Sequence, residues 1–308
     1  MRIAIIGAGA MGSLVGSYLA ESNEVWLLDP WRDHVDAITA NGLIRTEGDT
    51  AHVAKPHATT DVADIPPCDI ALVLVKYHQT AWAAQQAVRV LGENGICVTL
   101  QNGVGNADII AAAVPPARVC VGVTSLGATL VGPGVVRHAG TGQTVFATPH
   151  HAAEITALAD AFSAAGLPAS TLADVDSIVW GKLVVNVGIN ALTGILRVPN
   201  GVLTRNESAL SVLHDAVNEA VIVAHAVGVT LPFHDPLAHV IAVAQATAAN
   251  RSSTLQDVLR GSPSEIPTIN GAIVRIAERY GIAVPTNALL VSLMAAVDST
   301  VRERIAPN

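Results

Sequence analysis

The chain has 308 residues, of which 51% are hydrophobic and 14% charged, and its formal net charge is −8. This length suits two domains, the composition excludes a disordered chain, and the negative charge disfavours a nucleic-acid partner. A membrane-spanning helix needs roughly 20 uninterrupted apolar residues, and the richest stretch, residues 178–196, is interrupted by Lys182 and Asn186. We therefore expect no membrane partner, no secretion signal and a cytosolic location.

Short β-branched runs alternate with helical periodicity in the first half of the chain. Runs that are apolar on both faces, such as residues 70–75, are typical of strands buried in a parallel sheet. Alternating strands and helices predict a doubly wound sheet, and Gly, Val and Thr between residues 124 and 148 predict its antiparallel extension. The predicted strands are 2–6, 24–28, 70–75, 96–100 and 169–172, and the predicted helices are 11–21, 34–40, 80–91, 106–113 and 152–165.

After Asp174 the strand patterns end and long helical periodicities follow. Asp174 or Asp176 is placed to cap the first helix, and glycines separate several of the later ones. We therefore predict an α/β domain over residues 1–173 and an all-helical domain over residues 174–308. The predicted helices are 176–195, 208–227, 236–249, 269–280 and 287–305.

A glycine-rich motif lies between the first strand and the first helix, and it comprises Gly7, Gly9, Ala10, Met11 and Gly12. The first glycine permits a tight turn, the second a close approach to a pyrophosphate, and the third helix packing on the strand. The free N–H groups of the helix N-terminus favour phosphate. A glycine turn without a ligand is the alternative, but the strand before and the helix after favour a Rossmann dinucleotide-binding domain.

Three further residues follow predicted strands and are candidates for cofactor binding. Asp29 ends the second strand, where a carboxylate holds a ribose 2′-OH and repels a 2′-phosphate, which favours NADH. Arg32 could still reach a phosphate, and Asp29 could simply add solubility. Lys76 and Asn102 end the next two strands, where ligands of open α/β sheets bind. A surface lysine and a turn asparagine are equally compatible with those positions.

One polar face interrupts the apolar stretch that opens the second domain. Lys182, Asn186 and Asn190 are spaced four residues apart and therefore share one side of a helix. A single exposed polar stripe is the alternative. Because the neighbours are almost all Val, Ile and Leu, and because only one residue is charged, the pattern favours the wall of a polar cleft.

These residue types suit the reduction of a keto acid. Such a reaction needs a hydride donor, a proton donor for the carbonyl oxygen and donors for the carboxylate. A partly buried Lys182, with a lowered pKa, suits the proton donor. No arginine is an obvious carboxylate clamp, and Ser253 with nearby backbone N–H groups could replace it. Ser252 or Ser253 could instead cap a helix, and Glu265, in a loop before a helix, could favour the helix dipole.

Taken together, these segments resemble the ketopantoate reductase family, in order, from Met1 to about Pro285. The resemblance is specific because separated motifs match rather than one. They are Gly7–Gly12, Lys76, Gln101-Asn-Gly, Trp180-Gly-Lys-Leu-Val-Val-Asn, Asn190-Ala-Leu-Thr, Pro199-Asn-Gly, Ser252-Ser-Thr-Leu-Gln-Asp and Glu265-Ile-Pro-Thr-Ile-Asn-Gly.

The resemblance implies an NADPH-linked reduction of 2-dehydropantoate to pantoate in pantothenate biosynthesis. It also implies a Rossmann domain joined to a helical C-terminal domain, with the active site in the cleft between them. Lys182 corresponds to the catalytic acid and Glu265 to its acidic partner on the substrate hydroxyl side. Lys76 corresponds to a cofactor contact, and the residues that correspond to cofactor-proximal or substrate-binding positions are Asn102, Asn186, Asn190, Asn200 and Ser253.

The sequence departs from the family where an arginine usually follows the second strand for the 2′-phosphate. Asp29-Pro30 stands there instead, which favours NADH or indicates a relative acting on a different 2-keto acid. Two rival hypotheses are a β-hydroxyacid dehydrogenase, which shares a Lys-x-x-x-Asn helix, and a non-catalytic dinucleotide sensor.

Other residue types point to no further chemistry. The 11 His are scattered, so we expect no metal site. We expect Cys68, Cys97 and Cys120 to be buried, reduced thiols. The hydrophobic helical faces of the second domain would permit a homodimer.

Overall fold

A computed structural model describes residues 1–147, 150–173 and 175–303. Three positions used in the predictions lie outside these described residues. They are Thr148, at the end of the predicted antiparallel extension, Asp174, a candidate helix cap, and Ile305, at the end of the last predicted helix. The chain divides into two units by its internal contacts. The sheet unit comprises Met1–Gln101 and Asn106–Val175, and the helical unit comprises Asn102–Gly105 and Asp176–Asn308. The short segment Asn102–Gly105, which the predicted boundary assigns to the first domain, therefore groups with the helical unit.

The sheet unit alternates strands and helices as the first half of the sequence predicts. Its elements are β1 (Arg2–Ile6), α1 (Ala10–Leu19), β2 (Glu24–Leu28), α2 (Arg32–Asn41), β3 (Leu43–Glu47), β4 (Thr50–Ala54), β5 (His57–Thr59), β6 (Cys68–Val73), α3 (Thr80–Val90), β7 (Leu91–Thr99), α4 (Asn106–Ala111), β8 (Val119–Thr124), β9 (Gly127–Gly132), β10 (Val135–Gly140), β11 (Thr144–Ala147), α5 (Ala152–Ala164) and β12 (Ala169–Leu172). Eight strands form the main sheet in the order β12-β11-β8-β7-β6-β1-β2-β5. Its neighbouring strands run parallel except β8 and β11.

Helices cover both faces of this sheet. In β1, Ile3 and Ile5 belong to the cluster that includes the apolar side chains of α1 and α5, whereas Ala4 and Ile6 belong to the cluster that includes those of α3. A strand buried on both faces needs apolar residues at every position, which explains why β1 reads as a continuous hydrophobic run. The predicted Rossmann-type α/β fold is confirmed, and the buried state of all three cysteines is confirmed as well.

The predicted antiparallel extension is only partly correct. β8 and β11 do pair antiparallel in the main sheet, but β9 and β10 form a hairpin in a separate four-stranded sheet of order β4-β3-β10-β9. The β3–β10 pairing places Ile44 opposite Val135, which is distant in the sequence. Local periodicity does not report such pairing, and β4 is almost wholly exposed, so the sequence pattern did not reveal β3, β4 or β5.

The helical unit packs its elements around α6. Its helices are α6 (Asp176–Leu196), α7 (Glu207–Ala226), α8 (Pro236–Ala246), α9 (Ser253–Arg260), α10 (Asn270–Tyr280) and α11 (Pro285–Ser299). The predicted all-helical character is confirmed. The sequence did not predict the range of α9 and indicated only that Ser252 or Ser253 could cap a helix there. By length and composition alone α6 could cross a membrane, but 67% of its most apolar window is buried in the structure. That burial is typical of a core helix.

Candidate active site

The glycine motif forms a tight turn between β1 and α1. Gly7 has φ +98°, a backbone conformation that strains any residue with a side chain. A Cβ atom at Gly12 would lie 1.9 Å from the Gly7 carbonyl oxygen, so only glycine allows α1 to start this close to the strand. Gly9 caps α1 without a side-chain hydrogen bond, and among the described residues no atom lies within 4 Å of its would-be Cβ. The turn, with Ala10 and Met11, therefore leaves an open helix N-terminus with the space and N–H groups that fit a pyrophosphate.

The Asp29 carboxylate lies directly against this turn. Its Oδ2 accepts from the Ala8 N–H at 2.8 Å, and its Oδ1 accepts from the Trp31 N–H at 2.9 Å. Asp29 is only partly buried, and each carboxylate oxygen has a second lone pair for a ribose hydroxyl. A negative charge held here opposes a 2′-phosphate. Arg32, the first residue of α2, is exposed.

A buried hydrogen-bond chain, which the sequence did not predict, stabilises the glycine turn at Ala8. The Gly134 N–H donates to His34 Nδ1 at 3.0 Å, so the ring proton resides on Nε2, which donates to Ser13 Oγ at 3.0 Å. Ser13 then donates to the Ala8 carbonyl at 2.7 Å. Burial lowers the pKa of His34, which keeps the ring neutral. Local sequence patterns around Ser13 and His34 do not indicate this hydrogen-bond chain, because its donor Gly134 is distant in the sequence.

The sequence predicted that Lys76 and Asn102 end their strands. In the structure, both residues lie beyond the strand ends. β6 ends at Val73 and β7 at Thr99, and each residue follows three positions later in a loop. Lys76 precedes the 3₁₀ turn Tyr77–Gln79. The difference is small, since both positions still follow the carboxyl end of a parallel strand.

In the helical unit, α6 carries Lys182, Asn186 and Asn190 at successive turns of one face. Desolvation by burial lowers the pKa of Lys182 to about 8, and the nearby Glu265 carboxylate opposes this by raising it. The charged form of a desolvated ammonium is costly, so the lysine gives up its proton more readily than in water. An amine with that pKa can donate a proton near neutral pH.

Glu265 and Asn102 meet in the same unit. Glu265 is 5% exposed and precedes the 3₁₀ turn Ile266–Thr268. Asn102 Nδ2 donates to Glu265 Oε2 at 3.1 Å, across 163 positions of sequence. The Val104 N–H donates to the Thr268 carbonyl at 3.1 Å, which fixes the loop that carries Asn102. Lys182, Glu265 and Asn102 therefore form one cluster in which a cation, a carboxylate and an amide are combined.

A second polar group joins α6 to α9. Asn190 is 5% exposed, and its Nδ2 lies 3.5 Å from the Oγ of Ser253, the first residue of α9. Ser252, not Ser253, caps that helix, since its Oγ accepts from the Leu255 N–H. Asn186 is partly buried on the same face of α6. Asn200 lies against Thr247, to which its Nδ2 donates at 2.9 Å.

Asn200 also carries an incompletely bonded polar group. Its Oδ1 is buried and has no hydrogen-bond partner among the described residues. A buried carbonyl oxygen without a donor is unfavourable by about 1–3 kcal/mol. A ligand hydroxyl could supply that donor.

Within the parts of the chain that the structure describes, no group of three or more His, Cys, Asp or Glu side chains could hold a metal ion. Acid catalysis by a lysine, with amides and hydroxyls to orient a small polar molecule, is the chemistry that these residues support.

Comparison with known families gives two adjoining matches. The family model described as ketopantoate reductase PanE/ApbA matches residues 3–150, and its C-terminal companion matches residues 174–298. Among curated proteins, the 2-dehydropantoate 2-reductase of Halobacterium salinarum is 38% identical over 298 residues, covering 96% of this chain and 98% of that protein. The corresponding protein of Archaeoglobus fulgidus is 34% identical over 300 residues, covering 97% and 98%.

Solved structures give a similar result with one difference in chemistry. A PanE/ApbA family ketopantoate reductase from Ralstonia eutropha has a TM-score of 0.90 at 37% identity, covering 98% of this chain and 100% of that chain. A D-mandelate dehydrogenase in complex with NADH and anilino(oxo)acetate also has a TM-score of 0.90, at 30% identity and with the same coverage. The shared fold therefore accompanies more than one 2-keto or 2-hydroxy acid.

Proposed function

The chain belongs to the ketopantoate reductase family, and we propose that it reduces the 2-keto group of a small carboxylic acid, with 2-dehydropantoate as the first candidate substrate. The observation that carries this proposal is the cluster of Lys182, Glu265 and Asn102 in the helical unit. A dinucleotide sensor would have no use for a partly buried lysine with a lowered pKa beside a carboxylate. Curated relatives that match nearly the whole of this chain carry the corresponding enzyme name.

The proposed roles follow from the chemistry of each group. Bound NAD(P)H supplies a hydride to the carbonyl carbon. Lys182 donates its proton to the carbonyl oxygen, which becomes the hydroxyl of the product. Glu265 favours the charged form of Lys182 and accepts from a substrate hydroxyl, and Asn102 orients its carboxylate. The residues assigned to hold the substrate are Asn186, Asn190, Asn200 and Ser253, because amide and hydroxyl donors bind a carboxylate without adding charge.

We assign the dinucleotide to the glycine turn and propose a preference for NADH. Gly9 and the uncapped N-terminus of α1 fit a pyrophosphate. Asp29 stands beside the turn where a 2′-phosphate would meet a negative charge. A structural relative at 30% identity is described with NADH. Lys76, which follows the carboxyl end of β6, is assigned to the same cofactor.

Replacing Asp29 with asparagine tests this preference. We expect the ratio of kcat/KM with NADH to kcat/KM with NADPH to fall at least about tenfold, because the repulsion of the 2′-phosphate is removed while the shape is kept. Asp33→Asn is the matched control, since Asp33 is exposed in the first turn of α2. Steady-state kinetics with both cofactors measure the ratio. An unchanged ratio in Asp29→Asn would assign cofactor choice to other residues.

A second candidate is the NADH-linked reduction of an aryl-substituted 2-keto acid. It is favoured by Asp29 together with the TM-score of 0.90 to a D-mandelate dehydrogenase. Both candidates use the same proton donor and the same carboxylate-binding groups, and they differ only in the side chain of the substrate.

The decisive experiment measures oxidation of NADH and of NADPH by the purified protein, each with 2-dehydropantoate and with phenylglyoxylate. The first proposal predicts the highest kcat/KM with 2-dehydropantoate, and the second predicts it with phenylglyoxylate. No turnover with either acid and either cofactor would refute the proposed function.

A further inference from the structure

Two buried hydroxyl groups link α6 to the start of α9. Thr193 is fully buried in α6, one turn beyond Asn190, and its Oγ1 lies 2.7 Å from Ser252 Oγ. The same Thr193 oxygen lies 2.8 Å from the Ile189 carbonyl oxygen. Ser252 caps α9, and its Oγ accepts from the Leu255 N–H at 3.0 Å. The contact therefore joins a helix carbonyl of α6 to a first-turn amide of α9.

The hydroxyl protons of these linked hydrogen bonds have one arrangement in which every donor finds an acceptor. A carbonyl oxygen only accepts, so the single Thr193 hydroxyl proton goes to the carbonyl oxygens of its own helix, that of Ile189 at 2.8 Å and that of Asn190 at 3.0 Å. Thr193 Oγ1 then accepts the Ser252 hydroxyl proton, and Ser252 Oγ accepts from Leu255. Each hydroxyl both donates and accepts, which polarises and strengthens the chain.

The neighbouring contact between Asn190 and Ser253 is much longer. At 3.5 Å it lies at the outer limit of a hydrogen bond and contributes little to holding the two helices together. The 2.7 Å contact one turn away is short and shielded from water. The short contact between Thr193 and Ser252 therefore constrains the spacing of the two helices more than the contact between Asn190 and Ser253 does, which leaves the second pair available to a ligand.

We propose that Thr193 is a positioning residue for the substrate. It anchors the N-terminus of α9 to α6 and so keeps the Ser253 hydroxyl at the distance from Asn190 that the substrate requires. The proposal rests on the proposed function, in which Asn190 and Ser253 hold the 2-keto acid. Thr193 itself touches neither substrate nor cofactor in this assignment, and it acts through Ser252.

Thr193→Val tests the anchor, because valine keeps the shape and removes the acceptor for the Ser252 proton. We expect KM for the 2-keto acid to rise about tenfold, kcat to change much less, and the dissociation constant of NADH to stay the same. Thr193→Ser, which keeps the hydroxyl, should restore KM. If Thr193→Val does not fold, Ser252→Ala breaks the same link from the other side; because it also removes the cap of α9, KM should rise at least as much.

Thr254→Val is the matched control. Thr254 is fully buried in α9, and its Oγ1 has no hydrogen-bond partner in the described part of the chain. The same chemical change at the same interface therefore removes no hydrogen bond, and KM should stay unchanged. An unchanged KM in Thr193→Val, or an equal rise in Thr254→Val, would overturn the proposal.

Hydrogen exchange separates failure of the anchor from failure of the proposed function. The Leu255 amide should exchange faster in Thr193→Val than in the unmodified protein and in Thr254→Val, whether or not a substrate is known. An unchanged exchange rate of the Leu255 amide in Thr193→Val would refute the proposal that Thr193 anchors α9 to α6. Faster exchange in a protein that reduces no 2-keto acid would refute the proposed function and, with it, the assignment of Thr193 to substrate positioning.

Discussion

Lys182→Met is expected to lower kcat for 2-keto acid reduction by about 10²–10⁴-fold, the usual contribution of a general acid. Methionine fills a similar space without a proton to donate, so the carbonyl oxygen would have to take its proton from water. Binding of NADH should be unaffected, because we assign the dinucleotide to the glycine turn of the sheet unit. Stopped-flow single turnovers, together with NADH titration by fluorescence, separate the chemical step from binding.

Lys55→Met is the matched control for this substitution. Lys55 is one of three lysines in the chain, and it is exposed between β4 and β5. The same loss of one positive charge at that position should leave kcat unchanged. Normal turnover in Lys182→Met, with Lys55→Met also normal, would show that another group supplies the proton.

The pH profile gives a second reading of the same assignment. Burial lowers the pKa of Lys182 to about 8 and the Glu265 carboxylate raises it. An acid catalyst must be protonated, so kcat should be level below about pH 8 and fall as the pH rises above it. Glu265→Gln removes the group that raises the pKa, so the fall should begin at lower pH. A shift to higher pH in Glu265→Gln would contradict the pairing.

The sequence predicts well those parts of the fold that are determined by local patterns. The bounds of β1, β2 and β12 agree with the predicted runs. For β1 the reason is that four of its five residues are buried and apolar, and that a glycine follows the strand. The positions of Lys182, Asn186 and Asn190 on one face of α6 follow from helical periodicity alone. The glycine turn and Asp29 are likewise placed by their order along the chain.

Features that depend on distant pairing were not predictable in this way. The separate sheet requires β3 to find β10, and the 3.1 Å contact between Asn102 and Glu265 joins residues 163 positions apart. Thr193 was included in a motif, but its partner Ser252 lies 59 positions away. A single sequence does not show which distant residues come into contact. It does show the residue types of the site, namely the lysine, the glutamate and the asparagines.

The loop that carries Asn102 gives the second large expected effect: Gly103→Ala should lower kcat/KM for the 2-keto acid by at least about 100-fold. Gly103 has φ +84°, and a Cβ atom there would lie 2.1 Å from the Thr268 carbonyl oxygen. Real Cβ atoms do not come so close to backbone atoms, so either the loop or the turn after Glu265 must move. Both movements break the hydrogen bond between Asn102 and Glu265.

Gly105→Ala distinguishes this clash from backbone strain. Gly105 has φ +102°, and among the described residues no atom lies within 4 Å of its would-be Cβ. An alanine at either position incurs the left-handed strain of about 1–2 kcal/mol, but only the one at Gly103 meets the Thr268 backbone. Kinetics of both variants, with NADH binding as the check on folding, decide between the two causes. Equal losses would mean that strain in the loop, and not the position of Asn102 against Glu265, limits the reaction.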